Sequence, residues 1–151
     1  MFTHATSPPS ALEILSVGPS AELTLEFAEA VAAGFPSPAQ DYIEGQIDLN
    51  RELVQHPRST FCVKVRGESM RDAGLADGDI LVVDRSIEAY EGAVVVFILD
   101  AEFGVKHFHR RGSQVHLVPA NPKFQPIIVE PDRDFAVWGV VTYTLHKQHR
   151  R

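Results

Sequence analysis

Residues 93–110 read Ala-Val-Val-Val-Phe-Ile-Leu-Asp-Ala-Glu-Phe-Gly-Val-Lys-His-Phe-His-Arg. Two runs of β-branched and aromatic residues, Ala93 to Leu99 and Phe103 to Arg110, stand on either side of Asp100-Ala101-Glu102. Side chains of this kind favour the pleated, half-buried surface of a strand. The pattern repeats outward from this pair. Strands are expected over Thr60 to Arg66, Asp79 to Asp84, Gln114 to Pro119, Ile127 to Val129 and Phe135 to Leu145. Turns such as Ala76-Asp77-Gly78 and Arg111-Gly112-Ser113 punctuate them. Seven short strands predict a mainly β fold, a coiled antiparallel sheet or a partly open β-barrel.

Ahead of His56-Pro57 the chain has another character. Ser7-Pro8-Pro9-Ser10 and Gly18-Pro19 interrupt regular structure, because each Pro removes an amide donor and pushes its predecessor toward extended geometry. Residues 1–33 therefore read as an arm. Within it, Leu23, Phe27, Ala30 and Val31 recur at helical spacing and predict a weakly amphipathic helix from Leu23 to Ala33, ended by Gly34 and Pro36. Phe35-Pro36-Ser37-Pro38 is a stiff, extended link whose exposed backbone can be cut or bound. A short helix is expected over Asp41 to Leu53, with Tyr42, Ile43, Ile47 and Leu49 forming an apolar face that Gly45 interrupts. The expected organisation is an arm over 1–33, a linker with a short helix over 34–58, and a β-rich domain over 59–151.

A chain of 151 residues with 44% hydrophobic and 23% charged residues is long enough and apolar enough to bury one core. Its formal charge of -6 repels a phosphate backbone and argues against a dedicated DNA-binding module. Glu13, Glu22, Glu26 and Glu29 give residues 1–33 a charge of -4, since no Lys or Arg lies there, which leaves -2 for the remainder. The single Cys62, inside Phe61-Cys62-Val63, makes no internal disulfide and reads as a buried structural thiol in a reducing compartment. Met1 to Leu12 hold no Lys or Arg and no apolar run, and no apolar stretch is long enough to span a membrane. A soluble, cytoplasmic protein is expected.

Seven histidines (His4, His56, His107, His109, His116, His146 and His149) show no metal-ligand spacing, so solvent-facing imidazoles and no metal site are expected. Asp77-Gly78-Asp79 reads as turn chemistry rather than as paired catalytic carboxylates, and Asp84 joins it in that reading. Lys106, Arg110 and Arg111, and separately Lys147 to Arg151, form basic clusters able to touch phosphates or simply to be solvated. Two other positions carry chemistry. Ser69, in Arg66-Gly67-Glu68-Ser69-Met70, follows a strand end, where a hydroxyl can stand beside free amides as a nucleophile or bond to its own turn. Lys106 sits among apolar residues on the strand face shared with Phe108. There it is either a snorkelling surface lysine or a desolvated amine able to act as a neutral base. If the two meet, they make a Ser-Lys pairing of hydroxyl and base.

These residues resemble the LexA and UmuD group of self-cleaving serine proteases. The resemblance runs from Ala33-Gly34-Phe35-Pro36-Ser37-Pro38 through Asp41-Tyr42-Ile43-Glu44, Ile47-Asp48-Leu49-Asn50 and Gln55-His56-Pro57. It continues in Gly67-Glu68-Ser69-Met70, Asp77-Gly78-Asp79, Val83-Asp84, Val105-Lys106, Pro119-Ala120-Asn121 and Trp138-Gly139-Val140-Val141. The order of these motifs is what makes the resemblance specific. It implies that Ser69 is the nucleophile, Lys106 the general base, the Ala33–Gly34 bond the substrate, and the backbone amides of Ser69 and Met70 the oxyanion donors. Enterobacterial UmuD has Cys before the scissile bond; Ala33 instead matches the Ala-Gly bond of LexA, and a small residue is kept either way.

The resemblance further implies docking of the cleavage segment promoted by a RecA filament on single-stranded DNA, loss of the first 33 residues, and a trimmed homodimer. That dimer would join a UmuC-type polymerase for translesion synthesis in the SOS response, with no cofactor, metal, membrane or direct sequence-specific DNA contact. Two alternatives accompany it. A LexA-like repressor would need a winged helix-turn-helix ahead of the cleavage site, for which 33 residues without Lys or Arg are expected to be too few. A non-catalytic polymerase accessory dimer would keep the fold with an unreactive Ser and Lys. Type I signal peptidase shares the pairing but needs a membrane anchor.

Overall fold

Stretches of β-branched residues broken by turn-formers give a chain of short strands. The structure, a computed structural model, describes residues 12–16, 24–28 and 43–149. In chain order the elements are β1 (Leu12–Ser16), β2 (Thr24–Ala28), β3 (Ile43–Asp48), helix α1 (Leu49–Leu53), β4 (Thr60–Val65) and a 3-10 turn (Arg71–Ala73). There follow β5 (Ile80–Asp84), β6 (Val94–Leu99), β7 (Glu102–Arg111), β8 (Gln114–Val118), β9 (Ile127–Val129) and β10 (Phe135–Leu145). They fall into two units, Gly18–Gln55 and a larger one formed by Met1–Val17 with His56–Arg151.

The larger unit is one antiparallel sheet in the order β1-β4-β5-β10-β6-β7-β8-β9. Its middle strand, β10, carries register shifts at Val137/Gly139 against β6 and at Val141/Tyr143 against β5. Shifts of this kind bend a strand and raise its twist, and the sheet is curled, as the coiled antiparallel expectation required. Alternation along the strands feeds two apolar clusters. Val63, Leu81, Val83, Val96 and Val105 join Met70 and Leu75 in one, whereas Val95, Phe97, Phe108, Leu117, Val129 and Val140 form the other. Val95 and Val96, adjacent in β6, thus serve opposite faces, the behaviour of a strand buried on both sides. Each such side chain removed from water contributes roughly 1.5–3 kcal/mol.

The smaller unit corrects two expectations. Leu23 to Ala33 was expected to be helical, yet Thr24–Ala28 is strand β2, paired antiparallel with β3 so that Leu25 stands opposite Ile47 and Phe27 opposite Gly45. Leu23, Leu25 and Phe27 also alternate, and pairing with a distant segment selects the period of two. Asp41 to Leu53 was expected to be a single helix. Instead Ile43–Asp48 is strand, and the helix starts only at Leu49, where the Asp48 carboxylate accepts from the amides of Asn50 (3.1 Å) and Arg51 (3.3 Å). A further correction lies in the larger unit: residues 12–16, expected to be irregular, form β1, whose register runs from Leu12 opposite Val65 to Ser16 opposite Phe61.

Candidate active site

Ser69 sits on a turn that several hydrogen bonds shape. The end of β4 is tied to the Asp77-Gly78-Asp79 turn by Val65 N donating to Asp79 O and Gly78 N donating to Val65 O, both at 2.8 Å. Gly67 follows at a φ of 99°, a conformation open to glycine, and its amide donates to the Asp77 carboxylate at 2.8 Å. The chain then closes into the 3-10 turn, with Arg71 N on Glu68 O (3.1 Å) and the amides of Ala73 and Leu75 on Met70 O. Met70, 2% exposed, anchors the turn in the core. Ser69 is left half-buried. Among the described residues, no acceptor takes the amide of Ser69 or of Met70, and no hydrogen bond holds the Ser69 hydroxyl. A turn serine bonded to its own backbone is therefore not what the structure contains.

Lys106 comes from β7, where it pairs in register with Val95, two residues beyond the Gly104–Phe97 pair. Gly104 is needed for a close approach: a Cβ there would lie 2.4 Å from Phe97 Cζ. The Phe97 ring, 4% exposed and 6.1 Å from the Phe135 ring, thus occupies space that any other residue at 104 would fill. Half-buried beside it, Lys106 is pushed below its ordinary pKa of 10.5 by burial. Among the described residues no carboxylate pairs with its ammonium to oppose that shift.

Ser69, Met70 and Lys106 line one cavity of about 380 Å³, with Phe97, Leu99, Phe103, Val105 and Ile127 making most of the wall apolar. The structure therefore brings together three of the residues singled out in the sequence. The scissile pair, Ala33 and Gly34, lies outside the described residues. A lysine amine whose burial favours the neutral form and a serine hydroxyl on the wall of one cavity, with unclaimed backbone amides at the serine, are the groups that nucleophile activation and oxyanion binding call for.

The other polar candidates divide. Arg111 does not extend a phosphate-binding patch from Lys106, because it pairs with Glu91 at 2.7 Å. The Arg110 amide, Arg111 and His109 together hold the Glu91 carboxyl at about 2. Three histidines bond carboxylates: His56 with Asp84 and His146 with Asp79, each at 2.5 Å, with both imidazoles about half exposed to solvent as expected, and the less exposed His109 with Glu91 at 2.8 Å. Asp79 and Asp84 are also more than turn residues, being 2% and 4% exposed. Cys62 is partly rather than fully buried, and burial raises its thiol pKa, which keeps it protonated and unreactive. Among the described residues no cluster of His, Cys, Asp and Glu forms a metal site, and no helix is long and apolar enough to cross a membrane. Asn121, quoted above only as part of a motif, proves to be buried against the Ser69 turn, a position that topology alone determines.

The family model described as Peptidase S24-like matches residues 26–142, a span that holds Ala33, Gly34, Ser69 and Lys106. Protein MucA of Salmonella typhimurium is 41% identical over 120 residues, covering 79% of this chain and 82% of MucA. Protein SamA of Salmonella typhimurium is 39% identical over 121 residues, or 80% of this chain and 84% of SamA. The LexA repressor of Bordetella avium is 40% identical over 130 residues, which are 83% of this chain and 61% of the repressor.

Proposed function

Since the chain belongs to the Peptidase S24-like family, we propose that it is a self-cleaving serine protease of the LexA and UmuD kind, with Ser69 as nucleophile, Lys106 as general base and its own Ala33–Gly34 bond as substrate. The observation that carries this reading is the shared cavity: Ser69 and a half-buried, carboxylate-free Lys106 line it together.

Neutral Lys106 takes the Ser69 hydroxyl proton as Oγ attacks the Ala33 carbonyl. The negative charge on the carbonyl oxygen is met by the amides of Ser69 and Met70. The Lys106 ammonium returns the proton to the Gly34 nitrogen as the C–N bond breaks, leaving Ala33 esterified to Ser69. Water, deprotonated by Lys106, then hydrolyses the ester and frees the Ala33 carboxylate. An exposed lysine is almost wholly protonated at neutral pH, so catalysis depends on the water-excluding fit of the cleavage segment into an apolar cavity.

A RecA filament on single-stranded DNA promotes that fit without supplying a catalytic group. Removal of residues 1–33 takes the formal charge from -6 to -2, because the removed segment carries four acids and no Lys or Arg. The trimmed chain acts in the cytoplasm as a homodimer and as the accessory subunit of a UmuC-type translesion polymerase during the SOS response. The test is intact mass after incubation at mildly alkaline pH, with and without a RecA filament, for wild type, Ser69→Ala and Lys106→Ala. Cleavage after Ala33 in wild type alone is expected. An intact chain in every sample would return the protein to a non-catalytic accessory dimer.

A further inference from the structure

The Ser69 turn is not held by its own segment alone. The chain between β8 and β9 adds Ala120 and Asn121 to it. Ala120 O accepts the Asp72 amide at 2.7 Å, and Ala120 N donates to Met70 Sδ at 3.3 Å. Asn121, 3% exposed, donates from Nδ2 to the Glu68 carbonyl oxygen at 2.8 Å. Its own Oδ1 accepts the Lys123 amide at 3.1 Å, so the carboxamide is oriented and cannot flip without losing both bonds.

Glu68 C=O and Ser69 N–H belong to one planar trans peptide, in which carbonyl and amide point in opposite directions. Whatever fixes the carbonyl fixes the amide. The Glu68 oxygen accepts from two donors, the Arg71 amide at 3.1 Å and Asn121 Nδ2, which fills both of its lone pairs and leaves the peptide no second orientation of equal energy.

We propose that Asn121 is the positioning residue of the nucleophile turn: by holding the Glu68 carbonyl it aims the Ser69 amide into the cavity, and so sets the oxyanion site. The inference rests on Ser69 being the nucleophile. Asn121 touches neither substrate nor Lys106; it acts through the peptide between Glu68 and Ser69.

The test follows self-cleavage of the full chain by intact mass across a pH series for wild type, Asn121→Ala and Asn121→Asp, with a thermal melt of each. Ser69→Ala and Lys106→Ala run alongside. Both Asn121 variants are expected to cleave between about tenfold and a hundredfold more slowly at every pH, a weaker loss than deleting an oxyanion donor outright. The pH midpoint should stay where it is in wild type, since the surroundings of Lys106 are untouched. A folded variant cleaving within about twofold of wild type overturns the proposal. So does a displaced midpoint, which would assign the loss to a reorganised Lys106 pocket. Asn121→Ser serves if both others melt below the assay temperature; failure of all three to fold makes Asn121 a stability element and likewise overturns the proposal. If wild type does not cleave, or Ser69→Ala cleaves as wild type does, it is the self-protease reading that falls.

Discussion

Asp84 offers a stability prediction with a worked magnitude. Its carboxylate is 4% exposed, and burial by itself would raise its pKa. That effect is outweighed by the Ser86 hydroxyl at 2.6 Å, His56 Nδ1 at 2.5 Å, the Ser86 amide at 2.8 Å and the Ser59 hydroxyl at 3.2 Å. Together they bring the carboxyl from 3.8 down to about 2. Because the folded value lies below the unfolded one, the contribution is complete above the unfolded pKa and disappears as pH falls through the folded pKa. The interval is worth about 2 kcal/mol, of which about half is gone by roughly pH 3.

The perturbation is Asp84→Asn in a Ser69→Ala background, so that the arm stays attached. The assay is urea unfolding followed by the fluorescence of Trp138, the sole tryptophan, which packs 5.4 Å from the Phe61 ring and 5.9 Å from the Phe103 ring. At neutral pH the variant should be less stable by about 2 kcal/mol. The gap should narrow by about 1 kcal/mol between about pH 5 and pH 3, a window in which the other carboxylates cancel in the difference. Parallel stability curves across that window would refute the reasoning, since the loss would then come from shape and not from ionisation.

Two further outcomes follow from the cavity. The rate of self-cleavage should rise about tenfold per pH unit on the acid side and level off below 10.5, because burial lowers the Lys106 pKa and only the neutral amine is competent; a profile flat from neutral to alkaline pH would remove Lys106 from the role of base. Gly104→Ala should cost about 1–3 kcal/mol of stability by forcing the Phe97 ring from its seat and should slow cleavage as well; an unchanged melting temperature would show that the ring has room to move.

Much of the β-rich part was legible. Ile127–Val129 and Phe135–Leu145 fall where the pattern placed them, and the other five strands differ by a residue at an end or at both ends. Period-two alternation and β-branched composition are local signals, and turn residues bound them. The N-terminal part was not legible, because β1 and β2 owe their extended state to partners far along the chain, β4 for one and β3 for the other. Apolar residues four apart fit a helix, yet with Leu25 between them Leu23 and Phe27 fit a strand equally well. At the site, Ser69 and Lys106 stand out by type and setting, whereas their place on one cavity wall depends on where β7 lies relative to the turn after β4. The sequence reads Asp79 and Asp84 as turn residues, because their burial leaves no mark in the local pattern. Their histidine partners, His146 and His56, stand 67 and 28 residues away.

The pairing of β1 with β4 gives the proposed loss of residues 1–33 a mechanical meaning as well as an electrostatic one. While β1 is present, β4 is an interior strand, with β1 on one side and β5 on the other. Were β1 removed by that cleavage, the amides and carbonyls of Phe61–Val65 that faced it would have no ladder. A scission remote in sequence would then turn a saturated strand into a hungry rim, the kind of border that recruits another extended chain or invites uncontrolled stacking. Lys64, exposed on that strand, is the sort of charge that discourages the second outcome while leaving the first open to a partner able to meet it.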